Sequence, residues 1–461
     1  MSGTPETETA RGWDNTMDLT AHWVGITCIV VFVLSYSLVI AEEFTHLRKS
    51  VPVMLGAGII WAFIAAEYAG GSLTHAAEEA VRHFLIEFGE LFLFLLCAMT
   101  YVNSMSERRI FDALRSWLVR RGFSYRQLFW ITGVISFFLS PIIDNLTTAL
   151  VMCAVILAVG HGNKRFIGIG CVNIVVAANA GGAFSPFGDI TTLMVWQRGI
   201  VDFFTFFALF IPSVVNYIIP AVIMSFFVEN AQPDADSERV EMRRGAKRIM
   251  FLFLCTIATA VSFHNFLHLP PFLGMMTGLA YLKIFGHYLA KTSVPPVTGG
   301  PEGQEAGDII QPYDSFREVA RAEWDTLLFF FGVIMCVGGL GFVGYLELVS
   351  QYMYVELGPT FANTMVGILS AIVDNIPVMV AVLQMHPVMD LSQWLLVTLT
   401  AGVGGSMLSI GSAAGVALMG QARGYYTFFG HLKWTFPIAL GYFASIWVHL
   451  MWNTHYEGIM P

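Results

Sequence analysis

The chain has 461 residues, 56% of them hydrophobic and only 12% charged, with a mean hydropathy of +0.65. A soluble domain carries about a quarter charged residues, so this composition describes a membrane-embedded chain; a net charge of −9 says little about nucleic acid, and no basic tract suggests that it binds any. Six cysteines (Cys28, Cys97, Cys153, Cys171, Cys255, Cys336) stand singly with no CxxC spacing, which suits packing rather than disulfides or metal ligation.

Residues 1–21 are polar and acidic and lack the basic-then-apolar pattern of a cleaved signal, so they read as a tail. Apolar spans then follow at 22–41, 52–69, 86–103, 127–160, 165–196, 203–228, 249–267, 271–289, 325–346, 359–387, 392–421 and 434–453. Basic residues belong on the cytoplasmic side. Arg48 and Lys49 place the first loop inside; Arg108, Arg109, Arg115, Arg120, Arg121 and Arg126 place the third inside. The stretch 127–160 is flanked by basic residues at both ends and is too long for one crossing at 1.5 Å per residue. It is predicted to enter and return as a re-entrant hairpin, with Pro141 and Asp144-Asn145 at its turn. The stretch 359–387 repeats this from the outer face, beyond a predicted outer loop carrying Glu347 and Glu356. The expectation is an all-α polytopic protein of two inverted repeats, with ten crossings, two re-entrant hairpins and both termini outside. The first repeat spans 22–228 and the second 249–453, separated by a cytoplasmic loop at 229–248. A Pro- and Gly-rich linker falls at 290–322 and a tail at 454–461.

The repeats align on their unusual residues. Asp144-Asn145 and Asp374-Asn375 lie 374 − 144 = 230 residues apart, each inside a stretch free of Lys and Arg. After each comes a Gly-rich, interrupted span: Asn-Ala-Gly-Gly-Ala-Phe-Ser-Pro-Phe-Gly-Asp over 179–189, and Gly-Val-Gly-Gly-Ser-Met-Leu-Ser-Ile-Gly-Ser over 402–412. Before each hairpin lies a Leu/Phe-rich span opened by an acid, Glu90 or Asp325. An amphipathic segment follows each of these; in the first, Ile110, Phe111, Leu114, Trp117 and Leu118 share a face. Paired interrupted segments in inverted halves point to a transport site near the midplane.

A carboxylate in such surroundings takes a proton or pairs with a cation. Asp144, Asp374 and Asp189 are the candidate carriers, with Na+ expected at Asp144, Asn145, Asp374 and Asn375. Asn179, Thr191, Thr192, Ser370 and Ser406 add the hard oxygen ligands small cations prefer. Ser409, Ser412, Glu90 and Asp325 are secondary candidates. The competing structural readings are helix caps for the acids, close packing for the small residues, and solvation for Glu90, Asp325 and Glu67. The twelve histidines, His83 and His287 among them, read as exposed or satisfied side chains. No HExxH or GxSxG occurs, so no hydrolase is expected.

The two Asp-Asn motifs, the run from Asn179 to Thr192 and the run from Gly405 to Ser412 together resemble the NhaD-type sodium/proton antiporters of bacteria, over about residues 25–453. These belong to a wider ion-transporter superfamily with the divalent-anion/sodium symporters and arsenite permeases. The resemblance implies exchange of Na+ or Li+ for protons in the bacterial inner membrane by alternating access. It also implies a transport domain of two hairpins and two broken helices, a homodimer and no cofactor. Its functional set falls on Asp144, Asn145, Asn179, Asp189, Thr191, Thr192, Ser370, Asp374, Asn375 and Ser406. The alternative is an anion or arsenite carrier. The dicarboxylate symporters carry Ser-Asn-Thr at the hairpin tips, and Asp in place of that Ser in both hairpins opposes an anionic substrate.

Overall fold

The computed structural model describes residues 17–45, 47–69, 75–160, 162–232, 239–292 and 313–461. The expected N-terminal tail, the inter-repeat loop and the linker lie partly outside these residues. Among the described residues there is no strand, and nine helices are long and apolar enough to cross a membrane. The chain is a multi-pass membrane protein. Eight of the nine fall on expected crossings: Trp23–Ile40, Ser50–Tyr68, Ala76–Glu107, Lys164–Gly182, Thr205–Ser225, Ala246–Leu267, Trp324–Val343 and Thr435–Trp452. The ninth, Tyr125–Ile143, is the first limb of the expected hairpin. The two remaining expected crossings differ for physical reasons. Pro271–Thr292 is diluted by Lys283 and His287, and Leu391–Gly404 stops after 14 residues at its glycines.

The two amphipathic segments are both helical. In the helix Ile110–Arg120 the buried residues are Ser116, Leu118 and Val119, while Trp117 is exposed beneath the Arg121 guanidinium. The expected outer loop carrying Glu347 and Glu356 is helical, Tyr345–Ser350 running into a wide turn over Gln351–Glu356.

The chain divides into two compact units, and neither is a single repeat. The first takes residues up to Gly89, then Trp324–Gly358 and Val380–Pro387. Within it, Gly332 sits against the Val53 backbone, and Trp61 Nε1 donates to Met335 O at 2.9 Å. The second unit takes Glu90–Glu323, Pro359–Met379 and Val388–Pro461.

In the second unit each interrupted segment packs in the same way. A capping box, Ser124 with Gln127, starts the helix Tyr125–Ile143; a second limb, Asn145–Gly160, follows after the single residue Asp144. The corresponding limbs are Pro359–Ile372 and Asn375–Met385, of which the second unit takes the residues up to Met379. Ser140 Oγ donates to Ala178 O at 2.7 Å, and Ser370 Oγ donates to Ala401 O at 2.8 Å. A Cβ on Gly181 would lie 2.2 Å from Phe137 O, and one on Gly404 would lie 2.1 Å from Gly367 O. Equivalent hairpin residues are thus 370 − 140 = 230 apart, and equivalent broken-helix residues 404 − 181 = 223 apart. Pro141 has no N–H, so the Phe137 carbonyl one turn earlier is freed, and Gly181 packs onto that carbonyl.

The backbone approach at Gly404 gives a direct check. Gly404→Ala forces a Cβ into a carbonyl that no flexible side chain can vacate. It should cost about 1–3 kcal/mol, read as a lower unfolding temperature in detergent. Gly420→Ala, with nothing within 4 Å of its added Cβ, should leave that temperature unchanged or slightly raised.

Candidate functional site

The breaks that interrupt these helices bring polar side chains to one place in the second unit. The helix Lys164–Gly182 ends at its glycine pair, and the chain restarts as the helix Ile190–Gln197 with Asp189 as N-cap, its Oδ1 accepting from Thr191 N at 3.3 Å. The turn between is stapled from within: Thr192 Oγ1 donates to Ser185 O at 2.8 Å, and Ser185 Oγ to Pro141 O at 3.0 Å. Its two phenylalanines anchor in one continuous aromatic cluster, linked through Phe207 and Phe203. Phe184 packs on Phe137 and Phe210, and Phe187 on Phe94 and Trp196. The turn is therefore fixed, and Asp189 with it.

The other carboxylate oxygen of Asp189 is the meeting point. Oδ2 accepts from Asn375 Nδ2 at 2.8 Å and from Asn145 Nδ2 at 3.2 Å. Asn145 Nδ2 also reaches Asn179 Oδ1 at 3.1 Å, and Asn179 Nδ2 donates to Ser412 Oγ at 3.0 Å. Asp189, Asn179, Asn145, Asn375 and Ser412 are all buried. One carboxylate thus gathers both hairpin turns, and through Asn179 the second broken helix, which Ser412 caps by accepting from Gly415 N.

The two acids of the Asp-Asn motifs stand beside this centre. Asp144 joins the hairpin limbs with φ 72° and ψ 160°, a region almost reserved for glycine, which costs about 1–3 kcal/mol in a non-glycine residue. Its carboxylate caps the second limb: Oδ1 accepts from Thr147 N at 2.8 Å and Oδ2 from Thr147 Oγ1 at 2.9 Å. Asp374 is an electrostatic neighbour of Asp189, and Glu323 of Asp144. Both motif acids are half-buried. Three helix N-termini, at Asp144, Asp189 and Asp374, therefore face carboxylates. That arrangement favours negative charge, but two neighbouring carboxylates in an apolar interior still need a proton or a cation between them.

Thr191 Oγ1 is buried without a hydrogen-bond partner. It lies with Asp189 Oδ2 over Gly402, where a Cβ would sit 3.8 Å and 3.7 Å from the two oxygens. Gly402 is the repeat equivalent of Asn179 (402 − 223 = 179). Where the first half places an amide, the second has a glycine beside the carboxylate and the unpartnered hydroxyl, with Ala183 Cβ 3.6 Å from an added Cβ. The Gly-rich run marked this stretch in the sequence, but nothing local distinguished Gly402 from the other glycines.

The remaining expected site residues are spread differently. Ser370 and Ser406 donate their hydroxyls to Ala401 O and Val403 O, and Ser409 donates to the Met419 sulfur. Thr192 staples the first break. Glu90 sits half-buried within the helix Ala76–Glu107. Asp325 belongs to the other unit, where it accepts a hydrogen bond from Ser50 Oγ. Among the described residues no cluster of His, Cys, Asp and Glu suits a resident transition metal.

A family model described as "Citrate transporter" matches residues 29–402. A protein of Alkalimonas amylolytica named Na(+)/H(+) antiporter NhaD is 60% identical over 446 residues, covering 95% of this chain and 92% of the relative. A protein of the same name from Vibrio cholerae is 56% identical over 447 residues, covering 95% and 94%. An Arabidopsis thaliana protein named Sodium/proton antiporter 1 is 31% identical over 467 residues, covering 97% and 77%.

The amides around Asp189 Oδ2 give a measurable coupling. A hydrogen bond to a charged group contributes about 1.5–3 kcal/mol, so Asn375→Ala and Asn145→Ala should each lower resistance to detergent unfolding. Because both donate to one oxygen, the double variant should lose less than the sum of the two singles. An additive double variant would mean that the two amides act independently.

Proposed function

The chain belongs to the citrate-transporter family and, within it, to the NhaD Na+/H+ antiporters, and on that premise we propose that it exchanges Na+ for H+ at a site centred on Asp189. The observation that carries this reading is that one buried carboxylate oxygen receives an amide from each hairpin turn. Asp189 binds Na+ when deprotonated and releases it when protonated, with Asp374 and Asp144 sharing the titration. Coupled acids of this kind titrate as a set rather than one by one.

Each amide that donates through Nδ2 also carries a carbonyl oxygen. A half-turn of its last torsion presents that oxygen to a cation. Asn145 and Asn375 thereby serve the empty carboxylate as donors and the cation as ligands, and Asn179, whose Oδ1 already accepts from Asn145, offers a further carbonyl oxygen. Thr191 Oγ1 supplies a further oxygen beside Gly402. Hard oxygen donors of this kind suit Na+ and equally Li+.

Around that chemistry we propose the inner membrane of a bacterium, both termini outside and hairpins entering from opposite faces. Access alternates between the two sides, and the protein is a homodimer. Basic residues on both flanks of the first hairpin, Arg126 before it and Lys164 and Arg165 after it, support its return to the cytoplasmic side. The family's citrate name raises an anion as the other substrate class. Three carboxylates at the site oppose it, and excess citrate should leave Na+-driven proton movement unchanged.

Two measurements in everted membrane vesicles test the reading. Asp189→Asn, Asp144→Asn and Asp374→Asn should each abolish Na+-driven proton movement while the protein stays in the membrane. Undiminished exchange in Asp189→Asn ends the proposal. The second is pH dependence. Protons compete for the same oxygens, so the apparent KM for Na+ should rise about tenfold for each pH unit below the titration of the site. A KM that ignores pH would mean that Na+ and H+ do not share a site.

A further inference from the structure

The two helix breaks are repeat equivalents, yet they are held in different ways. The first is closed by its own residues, Ser185 and Thr192. At the second, the helix Leu391–Gly404 passes into a tight turn over Gly405–Met407, then extended chain, then Ser412 at the head of the helix Ala413–Gln421. Val403 O and Leu408 O are closed from within by Ser406 Oγ and Gly411 N, whereas Ser406 O and Met407 O are taken by the segment that follows. His431 Nε2 bonds Ser406 O at 2.9 Å, and Thr435 Oγ1 donates to Met407 O at 2.8 Å. A carbonyl only accepts, so Nε2 carries the proton. His431 Nδ1 then accepts from Tyr426 Oη–H at 2.7 Å. His431 and Ser406 are fully buried, and Tyr426 nearly so. Position 183, the equivalent of Ser406, is an alanine inside the self-closed turn.

We propose that His431 is a positioning residue for the ion site: through Ser406 O it fixes the second break, and through the six residues to Ser412 it sets the hydroxyl on which Asn179 rests. The linkage is continuous. Tyr426 orients His431, His431 holds Ser406 O, Gly411 packs on the Ser370 and Ala371 carbonyls, and Ser412 Oγ accepts from Asn179 Nδ2. Asn179 in turn accepts from Asn145, the amide shared with Asp189. Partners of this outer kind typically change ion affinity by about 10–100-fold when removed.

The inference rests on the Na+/H+ reading, so wild type and variants are assayed in the same everted vesicles at matched protein levels. His431→Ala should raise the apparent KM for Na+ about tenfold or more, with the maximal rate falling much less. His431→Gln places an amide N–H at the reach of Nε2 and should return KM to within about threefold of wild type. His431→Asn keeps an amide but reaches only as far as Nδ1, and should behave like the alanine variant. A role confined to folding would lower the amount of protein and the maximal rate and leave KM alone. If His431→Ala fails to reach the membrane, the Gln and Asn pair decides. Equal KM values for those two, or an unchanged KM in His431→Ala, overturn the proposal. Absence of exchange in wild type would instead remove the reading beneath it.

Discussion

A single carboxylate oxygen, Asp189 Oδ2, shared between Asn145 and Asn375, is the constraint on which the rest depends. It holds the turns of two hairpins that are 230 residues apart in the chain and have no local reason to meet. Everything that makes the site unusual follows from placing that oxygen in an apolar interior. The helices must break to bring amides and hydroxyls to it, and the breaks must be closed again so that no backbone group is left unpaired. The oxygen itself must keep either a proton or a cation close by.

The repeat explains how the breaks are made, and its failures explain what the site does. Ser140 with Ala178 and Ser370 with Ala401 are the same bond made twice. The glycines that pass over Phe137 O and Gly367 O are the same close approach made twice. The symmetry then stops. Asp189 has Ser412 as its equivalent, and Asn179 has Gly402. One broken helix supplies a carboxylate and an amide; the other supplies a hydroxyl and a glycine. The two halves thus build one site rather than two like ones. The second break, which carries no acid at the equivalent position, is held by a histidine from the next segment.

Much of this was legible in the sequence. Charge-free stretches, glycine pairs and the 230- and 223-residue offsets identified the hairpins and the broken helices, because apolarity and backbone freedom are local properties. The division of labour inside the Asp-Asn motif was not. Sequence reasoning offered Asp144, Asp374 and Asp189 alike as candidate carriers with Na+ at both Asp-Asn pairs; in the structure it is the two asparagines that donate to Asp189. Asp144 spends both oxygens capping its own limb and holds a strained backbone angle. The partners that decide this lie 34 to 186 residues away, and no local pattern reports them. Gly402 was one glycine among many until its place opposite Asn179 was seen. His431, on a helix of five residues, was one of twelve histidines with no motif around it.

The central claim is that proton and cation take turns on the same oxygens. It is tested most directly by counting protons released when Na+ is added to the purified protein in weakly buffered detergent. Exchange at a shared site requires protons to leave as Na+ binds, with the release suppressed as pH rises and lost in Asp189→Asn. Saturable Na+ binding with no proton released at any pH would contradict it.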